Sequence, residues 1–187
     1  MALTRYYTAT SLDGFIADAS HSLEWLFTRD QDREGPLNYA AFIADVGALA
    51  MGSSTYEWVV DHEFSGKPLE EWRWPYDIPT WVFTHRELPV VPNAAIEFAR
   101  GDVVAVHERM VEAAAGKNVW VVGGGDLAGQ FADAGLLDEV IVYVAPVTLG
   151  SGAPLFPRRQ ELRLEELQRN RDFACARYAV VRDSGGR

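Results

Sequence analysis

The sequence predicts an α/β fold built on a mixed, mostly parallel sheet with antiparallel strands at its C-terminal edge. Three observations carry this. Short apolar runs alternate with segments of helical periodicity through the middle of the chain. Several of these runs stop at glycine or at a Gly/Ser cluster, as "ALAMGSS" (48–54) and "VWVVGGG" (119–125) do. The last stretch, from 162, holds two strand-like runs with no helix between them. Strands separated by helices belong to parallel sheets, whereas consecutive strands pair antiparallel.

The elements follow in order. "LTRYYTAT" (3–10) is rich in Thr and Tyr and reads as a strand, and "SLDG" after it as a turn. "FIA" (15–17) is a short extended piece, and 18–35 a long polar loop around Trp25 and Leu26. "PLNYAAFIADVG" has helical spacing, with Pro36 suiting its start and Gly47 its end. "ALAM" (48–51) is a buried strand. "SSTYEWVV" (53–60) reads as a helix, with Ser54 and Glu57 spaced as a capping box. Residues 61–79 are irregular. "TWVF" (80–83) and "AIEFA" (95–99) are strands, and 102–116 is a helix ending at glycine. "NVWVV" (118–122), a helix over 126–135, and "EVIVYVAPV" (139–147) complete the alternation. A Gly/Pro-rich loop precedes strands at 162–167 and 174–181.

The chain of 187 residues suits a single domain, 1–187, with a core from about 3 to 181. Its formal charge of −10 argues against nucleic acid, whose phosphates need a basic surface. No apolar run is long enough for a membrane span, and the N-terminus lacks a signal-peptide apolar region, so a cytoplasmic protein is expected. Cys175 is the one cysteine, so no internal disulfide can form. The histidines at 21, 62, 85 and 107 are scattered, and no zinc spacing exists.

In open α/β sheets ligands bind beyond the carboxyl ends of the strands, and three of those ends suit phosphate. The first is Gly123-Gly124-Gly125 before a helix, where free N–H groups and the helix dipole favour an anion. Gly123-x-Gly125-x-x-Ala128 formally matches a dinucleotide fingerprint. It falls too late in the chain, however, and lacks the acidic residue that closes the next strand, so the standard doubly wound dinucleotide domain is rejected. The second end is Gly52 with Ser53, Ser54 and Thr55, residues that equally serve as ordinary caps. The third is Thr84-His85-Arg86. Its arginine could grip a ribose 2′-phosphate, although a lone arginine there is more often a solvated turn.

"TATSLDGFIA", "MGSSTYE", "WVFTHR", "VWVVGGGDLAGQF" and "APVTLGSGAPLFP", in that order, resemble the dihydrofolate reductase superfamily. Within it, they look closest to the reductase domain of the bifunctional riboflavin-pathway deaminase/reductase and its stand-alone relatives. The resemblance implies a dihydrofolate-reductase-like three-layer α/β/α fold with about eight strands. It implies an NADPH-dependent oxidoreductase passing a hydride to a C=N or C=O bond of a small planar heterocycle (a pterin, aminopyrimidine or flavin-like ring). By similarity, Ala9 and Ile16 would border the nicotinamide through their backbones. Gly52, Ser53, Ser54 and Thr55 would hold the pyrophosphate. Thr84, His85 and Arg86 would surround the 2′-phosphate, and Gly123, Gly124, Gly125, Asp126 and Leu127 would cover the other side of the diphosphate. The resemblance also implies a homodimer, with apolar strand edges at 174–181 as its expected contact.

The chain departs from the family in two places. "GPLNYAAF" has no acid where dihydrofolate reductases carry one early in the first helix, and Glu34 lies before that helix in the loop. No deaminase zinc motif accompanies the reductase segments. Asp13 is a candidate proton donor, although it equally shapes the "LDG" turn. Tyr143 is a second candidate near the substrate, although a core aromatic with a satisfied hydroxyl reads as well. Tyr39, Trp25, Trp72 and Trp74 are expected to line a slot for a flat ring, the alternative being packing under long loops. A nucleotide- or flavin-binding module without turnover is the second functional reading. A hydrolase would need a nucleophile–base signature, and none is present.

Overall fold

A computed structural model describes residues 2–182. Its centre is an eight-stranded sheet in the order β5-β4-β3-β6-β1-β7-β10-β9. The strands are β1 (Thr4–Ser11), β3 (Val46–Gly52), β4 (Thr80–Phe83), β5 (Ile96–Ala99), β6 (Asn118–Gly123), β7 (Glu139–Ala145), β9 (Leu162–Asn170) and β10 (Phe173–Val180). All neighbours from β5 across to β7 pair parallel. β10 runs antiparallel to both β7 and β9. The mixed sheet expected from the alternation is therefore present, antiparallel edge included. Two very short strands, β2 (Phe15–Ala17) and β8 (Ala153–Pro154), form a separate ribbon.

Side-chain alternation gives the sheet two apolar faces. Ala48, Ala50, Val119, Val121 and Tyr6 point to one face, where α4 (Val103–Ala113) and α5 (Gly125–Asp133) cover them with Val106, Met110, Leu127 and Phe131. Leu49, Met51, Val82 and Trp120 point to the other. There α2 (Tyr39–Ala44) brings Phe42, and α3 (Ser53–Phe64) brings Tyr56, Val60 and Phe64. The result is three layers, α/β/α. A one-turn helix, α1 (Glu24–Phe27), interrupts the long loop. It sets Trp25 and Leu26 against Tyr143 and Phe173.

Three local expectations are corrected. The helix assigned to start at Pro36 begins at Tyr39, because Asn38 is its cap. The Asn38 side chain accepts from Ala41 N–H, and Leu37 before it turns back at φ +54°. The Ser54–Glu57 capping box does not form: Gly52 is the N-cap of α3 without a side-chain cap bond, and Glu57 pairs with Arg86 instead. The segment 174–181 offers no free edge, because β10 is paired on both sides. The sheet ends at β5 on one side and at β9 on the other, and on β9 Leu164 and Leu167 are 52% and 62% exposed.

Candidate functional site

The chain reverses its winding between two adjacent parallel strands, β3 and β6. From β3 it leaves through α3 towards β4 over one face, and from β6 through α5 towards β7 over the other. Such a reversal leaves a crevice beyond the carboxyl ends of the two strands, with a helix N-terminus on each side. A cleft of about 620 Å3 lies there. Its walls include Gly52, Ser53, Ser54 and Thr55 from the β3–α3 turn and Gly123, Gly124, Gly125, Asp126 and Leu127 from the β6–α5 turn.

The two helix ends facing this cleft differ from the other two long enough to compare. Asn38 caps α2 and Asp102 caps α4, each by accepting a backbone N–H. Neither Gly52 at α3 nor Gly124 at α5 supplies a side-chain cap. Unsatisfied N–H groups and two positive dipole ends thus converge on one space, which is what an anionic diphosphate requires. The glycines divide by the same test. A Cβ on Gly52 would meet nothing nearer than 3.8 Å, and one on Gly124 only Ile16 Cδ1 at 3.7 Å. The chain itself would tolerate a side chain at both positions, so their bareness leaves room in the cleft. Gly125 is different, because a Cβ there would lie 2.3 Å from the carbonyl oxygens of Pro154 and Leu155. Close packing of α5 against β8 demands that glycine. Gly123, the last residue of β6, has φ +148°, a conformation that favours glycine.

Ile16, from the β2–β8 ribbon, also lines the cleft. Ala9 does not contribute a side chain to it. Neighbouring residues on a strand face opposite ways, so Thr8 lines the cleft while Ala9 packs with Tyr143 and Leu37 beneath the loop. Asp126 lines it with its carboxylate already engaged by Arg158 and by Gln130 Nε2 at 2.8 Å.

Thr84, His85 and Arg86 follow β4 outside the cleft lining, and only Phe83 before them reaches it. Thr84 is buried, and its Oγ1 accepts the Arg86 N–H at 2.9 Å. His85 is exposed. The Arg86 guanidinium forks onto Glu57, Nη1 to Oε1 at 3.0 Å and Nη2 to Oε2 at 2.6 Å.

Asp13 is corrected as a proton donor. Its carboxylate accepts from Ser11 Oγ at 2.6 Å, from Leu149 N–H and from Gly150 N–H at 2.7 Å. The Ser11 hydroxyl foremost, with the two amides, lowers its pKa to about 2. Asp13 lies outside the cleft lining and ties the β1–β2 turn to the loop before β8, the role its turn reading gave it. Tyr143 lies outside the cleft lining. Its hydroxyl donates to Pro36 O at 2.7 Å, and its ring packs on Phe173. Burial raises its pKa.

The expected aromatic slot is corrected as well. Trp25 packs with Tyr143 and Phe173. Trp72 stacks on Phe64 with centroids 4.8 Å apart and donates Nε1–H to Lys67 O. Trp74 packs on Tyr56 and donates to Thr80 Oγ1. Tyr39 lies beside Trp120 and Tyr7, outside the lining. The aromatics in the cleft wall are Trp58, Tyr76 and Phe83, with His21 and Leu23 from the long loop. Trp58 and Val59 had a legible signal: they lie three and four residues after Thr55 and so share its helix face. Tyr76 had none, since its segment is irregular.

Among the described residues no cluster of three or more His, Cys, Asp or Glu side chains is placed to hold a metal ion. No helix there is long and apolar enough to cross a membrane.

The family model described as the RibD C-terminal domain matches residues 58–174. The uncharacterized protein YwjB of Bacillus subtilis (strain 168) is 35% identical over 154 residues, 82% of each chain. A solved structure from Shewanella sp. PV-4, provisionally assigned to riboflavin biosynthesis, superposes with TM-score 0.78 at 24% identity, covering 97% of this chain and 100% of that one. A Thermotoga maritima diaminohydroxyphosphoribosylaminopyrimidine deaminase/5-amino-6-(5-phosphoribosylamino)uracil reductase superposes with TM-score 0.62 at 16% identity. This chain is covered over 96% of its length and spans 57% of that longer protein. At these identities the two structures establish a shared fold.

Proposed function

Since the chain belongs to the RibD C-terminal domain family, we propose that it is an NADPH-dependent reductase of a small planar heterocycle. The observation that carries this is the pair of uncapped helix N-termini, α3 and α5, converging on one cleft at the switch point between β3 and β6. The N–H groups of Ser53, Ser54 and Thr55 and those opening α5 would hold the diphosphate, and the bare Gly52 and Gly124 would let it approach. Ile16 and Thr8 would border the nicotinamide, and Arg86 would turn from Glu57 to the 2′-phosphate.

When bound, NADPH supplies a hydride to a C=N or C=O bond. The chain's own residues position and exclude water: Trp58, Tyr76 and Leu23 form an apolar wall, and the β2–β8 ribbon covers one side. Solvent would deliver the proton, because Asp13 lies outside the cleft lining with its carboxylate held by Ser11, Leu149 and Gly150. The reading includes a role in riboflavin biosynthesis, the process named in the relatives' descriptions, and a cytoplasmic location. We also propose that two copies pair through the exposed β9 edge, since an unpaired strand is a template for another.

The test is a parallel titration of the purified protein with NADPH and NADH. Saturable binding that favours NADPH supports the reading, and no binding of either removes it. Binding of NADPH without its oxidation by any pterin, flavin or aminopyrimidine would favour a binding module of the same fold.

A further inference from the structure

We propose that the substrate half of this cleft takes a planar, uncharged ring carrying no phosphate, stacked on Trp58. The proposal rests on the reductase reading above and narrows its substrate class. Two observations carry it.

The first is the make-up of the walls. Among the described residues lining the cleft there is no lysine or arginine, and the one carboxylate is Asp126. Of the arginines on adjoining segments, Arg158 is held between Asp126 and Asp133, and Arg86 serves the cofactor's 2′-phosphate in the reading above. The two helix N-termini are the anion-holding groups of the cleft, and the cofactor diphosphate uses them. A phosphate on the substrate would enter without a lysine or arginine in the wall and with Asp126 nearby. With the helix N-termini taken by the cofactor, a second anion would lack the charged partner that makes such hydrogen bonds strong.

The second is the platform. Trp58 lines the cleft, and His62 stacks on its indole with centroids 4.7 Å apart and planes at 12°. Phe27 stacks on the same pair, 6.2 Å from Trp58 and 5.7 Å from His62. The indole is thereby held in one orientation before any ligand arrives, and Leu23, Val59 and Tyr76 extend the apolar surface around it. A preorganised aromatic face beside apolar walls selects a flat ring by stacking.

The T. maritima relative is described as reducing a phosphoribosylaminouracil, so two ring pairs separate the alternatives. One is 5-amino-6-(ribosylamino)uracil and its 5′-phosphate, and the other riboflavin and its 5′-phosphate. Each is titrated calorimetrically into the full chain, with and without NADP+. In at least one pair the unphosphorylated ring is expected to bind tenfold or more tightly than its phosphate. Trp58→Ala is expected to weaken that binding at least tenfold, and Trp58→Phe to restore most of it. Should Trp58→Ala fail to fold, the comparison within each pair on the unsubstituted chain decides alone. Equal or tighter binding of the phosphates in both pairs, or no binding of any ring, overturns the proposal. NADPH is titrated separately. No NADPH binding would remove the reductase reading on which this proposal rests, whereas NADPH binding with equal or tighter binding of the phosphates would remove this proposal alone.

Discussion

Arg86 and Glu57 form a two-pronged ion pair that joins the turn after β4 to the first turns of α3. Both side chains are substantially solvent-exposed, at 55% and 38%, so the pair contributes at most about 1 kcal/mol to stability. Its consequence is for binding. In the proposed complex Glu57 occupies the fork that the 2′-phosphate would use, and opening it would be part of the cost of taking NADPH. Arg86→Ala is expected to weaken NADPH binding about tenfold, or about 1.4 kcal/mol, and to leave NADH unchanged. Glu57→Gln is expected to strengthen NADPH binding. Calorimetric titration of both cofactors checks this, and equal changes for the two would remove Arg86 from the 2′-phosphate site.

Gly125 and Gly52 should respond oppositely to the same substitution. Gly125→Ala drives a Cβ to 2.3 Å from two backbone carbonyl oxygens, which must shift. A loss of about 1–3 kcal/mol is expected, the usual range for overpacking. Gly52→Ala meets nothing nearer than 3.8 Å. It should fold with unchanged Tm and lose cofactor affinity, because the methyl occupies cleft space. Thermal melts alongside cofactor titrations separate the two effects.

Asp13 ties two loops and carries a pH signature. Its folded pKa, about 2, lies below the ordinary carboxylate value. A depressed pKa gives stability that is present above the unfolded value and lost as pH falls through the folded one. The Tm gap between the unsubstituted chain and Asp13→Ala should therefore be full at neutral pH and close between about pH 4 and 2. Turnover by Asp13→Asn at neutral pH should remain within about tenfold of the parent. A thousandfold fall, the scale at which a general acid acts, would restore Asp13 as the donor.

The exposed β9 edge makes a prediction about assembly. Leu164 and Leu167 lie on it with more than half their surface in solvent. Light scattering should give twice the chain mass for the unsubstituted protein and a single chain mass for Leu164→Glu/Leu167→Glu. A single chain mass for both would remove the dimer.

The sheet was legible because buried parallel strands are short apolar runs that stop abruptly, as "TWVF" and "NVWVV" do. The phosphate-ready turns were legible for the same reason: each begins where such a run ends. β8 is two residues long and contains a proline, so its local sequence carries no strand signal. The aromatic wall was misread because irregular segments draw attention to their tryptophans, whereas Trp72 and Trp74 spend their indole N–H groups on Lys67 and Thr80. Trp58 shares a helix face with Thr55, a signal that the capping pattern at the start of that helix masks. Glu57 was assigned to that cap, and its real partner lies 29 residues away in sequence. Contacts of that range leave no periodic trace.

The central claim is that α3 and α5 open on one ligand. A ¹⁵N-labelled sample titrated with NADP+ tests it most directly. The backbone amides of Ser53, Ser54 and Thr55 and those of Gly125, Asp126 and Leu127 should shift together, along one binding curve. Movement of only one set, or of neither at saturating NADP+, would contradict the claim.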